Sequence, residues 1–184
     1  MTLKDRLTIK ANNDNVKELV VGKTNEDLNY IDTTNVTDMN WLFYDSHFNG
    51  DISKWKTSNV TNMEGMFMES IFNRDISEWD VSKVNSMIQM FENSIFNRDI
   101  SRWNVSNVIN MHDMFSDSLF NQDISRWNVS KVINMSWMFA YSEFNQDISQ
   151  WDVSKVKDMY KMFSHSKFNQ NIDSWNNKCI LDLI

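Results

Sequence analysis

The chain has 184 residues, a formal net charge of -7, no proline, three glycines and one cysteine, Cys179. That length can hold one domain with a real core, the negative charge argues against a nucleic-acid partner, and a lone cysteine excludes an internal disulfide and a cysteine-built zinc site. No apolar run approaches membrane-spanning length, so no membrane insertion is expected.

The opening MTLKDRLTIK lacks the apolar stretch of a secretory signal, which leaves an intracellular protein or one whose leader lies outside this chain. Residues 1–27 fit no period and are expected to form an N-terminal cap. Within them, DNVKELVVG predicts a short helix closed by Gly22.

From residue 28 to 184 the chain repeats itself every 24 residues without insertion. Trp stands at 55, 79, 103, 127, 151 and 175, and Phe at 48, 72, 96, 120, 144 and 168. A second Phe set (43 to 163), a Val set (36 to 156) and a Met set (39 to 159) keep the same step. Such locked registers predict about six stacked coils, each burying its apolar side against its neighbours. Counting Ile76 as position 1, a coil reads I-x-x-W-x-V, the apolar spacing of a leucine-rich repeat, which predicts a short strand. V-x-x-M-x-x-M-F follows at steps of three and four and predicts a short helix, with the Ser of VSKV near its start. The fold expected is an α/β, leucine-rich-repeat-like solenoid, right-handed in its crossovers. It would carry a parallel sheet on one face and helices on the other; an all-β coil is the alternative. Leu28, Ile31 and Thr33 make the first coil degenerate. At the far end Asn177 replaces the expected Val, while Ile180 and Leu183 return to register, so CILDLI reads as a truncated capping coil. A dimer contact is the second reading of that tail.

Without proline, Asn, Ser and Asp must make the turns. Asp51, Asp75, Asp99, Asp123, Asp147 and then Asn171 share position 24. Each carboxylate is expected to accept hydrogen bonds from turn N–H groups or nearby hydroxyls. A calcium ladder is the competing reading, but no glycine-rich loop accompanies it. Asn49 to Asn169 form an Asn ladder at position 22, and Ser46 to Ser166 a Ser ladder expected at helix ends. The sequons at Asn35, Asn59, Asn104, Asn128 and Asn134 read as by-products of the repeat. His47, His112 and His165 occupy three different positions and do not converge by periodicity. No phosphate-binding glycine loop occurs. The expectation is no catalytic residue, no metal, no cofactor and no enzyme.

Function in a repeat array lies where the letters vary. Position 3 reads Lys54, Glu78, Arg102, Arg126, Gln150, Ser174, and position 5 reads Lys56, Asp80, Asn104, Asn128, Asp152, Asn176. Both point away from Trp and Val on a strand. Lys54, Lys56, Glu78, Asp80, Arg102, Asn104, Arg126, Asn128, Gln150 and Asp152 are the candidate binding face, for a protein or a surface glycan. The rival is a structural spacer or a self-assembling segment of a larger surface protein, joined through its coil edges; the chain is expected to be a monomer or to self-associate weakly. Position 14 also varies, with Trp41, Gly65, Gln89, Asp113, Trp137 and Lys161, and puts Trp137 and Tyr160 in adjacent coils, partly buried.

The stretch FNQDISRWNVSKVINMSWMF, residues 120–139, resembles the BspA-like, mycoplasma-type surface-protein repeat. The resemblance covers about residues 28 to 184, and NDNVKELVVGKTNEDLNYIDTTNVTDM resembles the usual entry into such arrays. It implies a leucine-rich-repeat-like solenoid, a bacterial protein at the cell surface or secreted, and adhesion or partner binding. It transfers no catalytic residue.

Overall fold

The structure is a computed structural model and describes residues 8–175 and 178–179. Strand β1 (Ile9–Lys10) pairs in parallel with β2 (Ile31–Asp32), and helix α1 (Val16–Val20) lies between them in the chain. Val16 and Val20 are buried in the core, and Gly22 follows the helix at φ +71. A left-handed residue just past the last turn is how helices commonly stop.

Beyond β2 the 24-residue period is a physical spacing. Asp38, Asn62, Ser86, Asn110, Asn134 and Asp158 bridge one another in parallel, each to the residue 24 further on. We number the coils 1 to 6 as residues 28–51, 52–75, 76–99, 100–123, 124–147 and 148–171. At each of the five junctions the N–H groups of positions 12, 14, 16 and 18 donate to carbonyls 11, 13, 15 and 17 of the following coil, at 2.8–3.1 Å. These peptides therefore point the same way along the stack.

That export of N–H groups rules out the helix predicted over positions 9–16. A helix needs each N–H turned back to the fourth residue before it, whereas here alternate N–H groups leave the coil. Those at 15, 17 and 19 turn back only three residues, as in Met114 to Met111, Ser116 to Asp113 and Ser142 to Phe139. Positions 14 and 18 have positive φ in all six coils, from Trp41 at 56° to His165 at 56°. None of these residues is β-branched, the class least able to adopt that conformation. The periodicity of three and four was real, but it reports overlapping turns. Of the strand predicted at positions 4–6, β2 (Ile31–Asp32) stands at positions 4 and 5 of coil 1, and among the described residues coils 2 to 6 carry none there. The Trp N–H there is held within the coil by the carbonyl of position 1, for example Trp103 to Ile100 at 3.1 Å.

The apolar letters do what the period requires. Within a coil the two Phe rings stack at 4.0–4.6 Å between centroids. Between coils, Phe43, Phe67, Phe91, Phe115, Phe139 and Phe163 stack at 5.5–5.8 Å. Each such ring contributes roughly 1.5–3 kcal/mol by burial. Among the described residues no helix is long and apolar enough to cross a membrane. Of the tail, Asn176, Asn177, Ile180 and Leu183 lie outside the described residues; Cys179 is partly buried against the core, its Sγ donating to the Lys157 carbonyl at 3.2 Å.

Candidate functional site

The constant polar letters are engaged inside the stack. Each Trp indole donates its N–H to the position-1 carbonyl of the preceding coil, from Trp55 to Leu28 through Trp175 to Ile148, at 3.0–3.2 Å. Asn at position 22 presents its side-chain carbonyl to the backbone N–H of the next Asn, at 2.9–3.0 Å. Each position-24 Asp accepts the N–H of the Ser two residues on, at 2.8–2.9 Å. That bond holds the carboxyls of Asp51, Asp99, Asp123 and Asp147 below the usual carboxylate range. The Ser ladder closes the run of turns rather than a helix: Ser118 donates to the Phe115 carbonyl at 2.7 Å and accepts the Phe120 N–H at 3.4 Å.

The expected binding face divides in two. All ten residues are exposed, and most of position 5 has a structural role as well. Asp80, Asn104, Asn128 and Asp152 each accept the N–H of the Ser two residues later, at 3.0–3.2 Å. They are turn formers, so only Lys56 among the position-5 candidates carries no such bond. Position 3 keeps its expected character. Lys54, Lys56, Glu78 and Asp80 line a shallow depression of 300 Å³. Arg102 reaches Glu78 at 3.7 Å with both side chains largely in water, a pair of little energetic weight. Arg126 continues the row, and Gln150 lines a separate depression beside Asp147 and Ser174.

One feature was missed and a second was read only in part. Position 11 carries a further turn former in five coils, as in Asn110 accepting the His112 N–H at 3.0 Å. Its recurrence in Asp38, Asn62, Asn110, Asn134 and Asp158 was there to be read. The second is the outer surface of the turn run, positions 13, 14, 17 and 18. In coils 2 to 4 it carries Glu64, Glu69, Glu92, Asp113 and Asp117. In coils 5 and 6 it changes to Trp137, Tyr141, Tyr160, Lys161 and His165. Trp137 and Tyr160 meet edge to face at 5.8 Å, Tyr141 stacks on His165 at 5.0 Å, and Lys161 lies 4.9 Å from the Trp137 ring centre. Tyr141 and Tyr160 are about half exposed, while Trp137 is partly buried, as expected.

Among the described residues no cluster of three or more His, Cys, Asp or Glu side chains is placed to hold a metal ion. No curated protein and no solved structure matches the chain. A family model does match, over residues 13–119 and again over 95–183, so that two overlapping copies reach from the cap to the last coil. The match begins at Asn13, whose side-chain carbonyl accepts the Thr37 N–H from a place 24 residues earlier, where later coils use a backbone carbonyl. By this match the chain belongs to the family of mycoplasma proteins of unknown function, DUF285.

Proposed function

We propose that the protein is a non-enzymatic binding or adhesion module, a leucine-rich-repeat-like, BspA-like stack that presents variable side chains on a constant frame. The observation that carries this reading is the division of labour within each coil. Constant letters are engaged in the core or in backbone bonds, and position 3 is exposed and changes from coil to coil. The partner is a protein or a surface glycan. Lys54, Arg102 and Arg126 give the position-3 row its charge, and Arg suits binding hot spots. The aromatic end of the turn face, Trp137, Tyr141 and Tyr160, is the second surface of this kind.

The test is affinity capture from cell-surface extracts with three baits: the natural chain, Lys54→Ala/Arg102→Ala/Arg126→Ala, and Trp137→Ala/Tyr141→Ala/Tyr160→Ala. A partner retained by the natural chain and lost by one variant, at unchanged circular dichroism, supports the reading and locates the face. A partner kept equally by all three sinks it. The spacer reading draws support from the hydrogen-bond polarity, because each coil offers its neighbour the same donors and the stack is extensible by one contact. A light-scattering mass that rises with concentration would favour it.

A further inference from the structure

Among the described residues His112 is the histidine whose ring is hydrogen-bonded into the following coil. Its Nε2 lies 2.9 Å from Asp113 Oδ2. Its Nδ1 lies 2.8 Å from Ser136 Oγ and 3.1 Å from the Ser136 carbonyl, both in coil 5. Ser136 Oγ is also 2.7 Å from Asn134 Oδ1 and donates its one proton there, so it turns a lone pair toward the ring. The imidazole therefore faces a carboxylate on one side and two acceptors on the other. Only the doubly protonated ring gives each nitrogen a proton to donate. The Ser136 carbonyl also accepts the Asp113 N–H at 3.1 Å.

We propose that His112 is a protonation-dependent strap between coils 4 and 5, closed as the imidazolium and loosened when the ring becomes neutral. In the neutral ring one nitrogen turns a lone pair on an acceptor. Either Nε2 meets the Asp113 carboxylate, or Nδ1 meets the Ser136 carbonyl unless Ser136 turns its hydroxyl away from Asn134. The surroundings are acidic on every side. Asp113 shares the ring's own coil, Asp158 acts from coil 6, and Glu92 from coil 3, where Gln89 Nε2 donates to it at 2.6 Å. Glu69 of coil 2 in turn faces Glu92. The Asp113 bond, opposed by partial burial, raises the affinity of His112 for its proton, and burial raises that of half-buried Glu92. Both shifts have the same sign. The stability they contribute is complete below the unfolded-state values and is lost as pH rises through the folded ones. The strap holds Ser136, the residue before Trp137, so its opening reaches the aromatic surface.

The experiment is nitrogen-15 spectroscopy of the imidazole ring in the full chain carrying His47→Gln and His165→Gln, which leaves His112 as the only imidazole. Thermal melting from pH 5.5 to 8.5, with and without His112→Gln, accompanies it. The strap predicts two protonated ring nitrogens at pH 6.5 and a titration midpoint above about 6.5, the ordinary histidine value. Asp113→Asn should lower that midpoint. The melting temperature should fall further toward pH 8.5 with His112 than with Gln. A midpoint at or below the ordinary value, or a neutral tautomer at pH 6.5, overturns the proposal. So does an identical pH dependence of melting with and without His112. Should the Gln variant fail to fold, the ring titration alone decides.

Discussion

At position 6, coils 1 and 2 carry Thr33 and Thr57, whereas coils 3 to 6 carry Val81, Val105, Val129 and Val153. All six are buried. The two threonines send their hydroxyls across to the next coil, Thr33 Oγ1 to the Lys56 carbonyl and Thr57 Oγ1 to the Asp80 carbonyl, each at 3.0 Å. Thr33 Oγ1 also accepts the Lys56 N–H at 2.8 Å. From coil 3 onward the hydroxyl is gone, and position 5 is Asp or Asn, which accepts the position-7 N–H of its own coil, as Asp32 already does in coil 1 with the Thr34 N–H at 3.1 Å. The two devices serve different backbone groups: the threonine hydroxyls tie position 5 of the next coil across the junction, whereas the Asp and Asn oxygens hold the position-7 N–H within a coil. A buried hydroxyl needs such a partner because unpaired buried polar groups are expensive, and the later coils remove the need by carrying Val.

The same comparison orders the expected effects of substitution. The aromatic column is common to both halves, and breaking it should cost most. Phe115→Ala, at a fully buried ring stacked between Phe91 and Phe139, should cost about 3–5 kcal/mol in chemical denaturation. A loss under about 1 kcal/mol would mean the column is not the core. Gly65→Ala tests the half near the cap alone. Its new Cβ would enter the indole of Trp41, an overpacking cost of about 1–3 kcal/mol. Trp41→Ala in the same chain should recover the part owed to the clash and leave the strain of a side chain at φ +57, which the other residues at position 14 also carry.

Exchanging the position-6 letters between the halves makes a sharper test. Thr57→Val removes a buried hydrogen bond and should cost about 1 kcal/mol. Val105→Thr should cost less than a buried hydroxyl usually does, because the Asn128 carbonyl stands where the Asp80 carbonyl accepts from Thr57. If Val105→Thr costs as much as about 3 kcal/mol, the later junctions do not accommodate the cross-coil hydroxyl bond. Asn128→Ala should cost about 0.5–1.5 kcal/mol through its lost turn bond, while Lys56→Ala, with no such bond, should stay within about 0.5 kcal/mol.

The acid limb applies to both halves. Asp51, Asp99 and Asp123 have carboxyls lowered by Ser N–H donors. Their stabilising effect is present above the unfolded carboxylate value of about 3.9 and is lost as pH falls through the lower folded values. Asp99→Asn keeps the acceptor without the charge. Its acid melting curve should therefore be flatter than that of the natural chain, by a small margin because the group is exposed.

Sequence alone determined the 24-residue step, the buried Phe, Trp, Val and Met letters, the short capping helix, and Asp at position 24 as a turn acceptor. These are legible because each depends on a side chain's own size or on bonds two residues away. It also marked positions 3 and 5 as one exposed surface. What the letters did not show is that the Asp or Asn of position 5 also holds a turn, because either oxygen accepts the shared Ser N–H. Only the tertiary structure decided that V-x-x-M-x-x-M-F is a run of turns, because helix and turns bury the same letters at the same spacing. The choice rests on where alternate N–H groups go, and their acceptors lie in the next coil, 23 residues away. The tie from His112 to Ser136, 24 residues apart, was hidden for the same reason. A partner across a coil junction leaves no local signal, and a single His in one coil breaks no period.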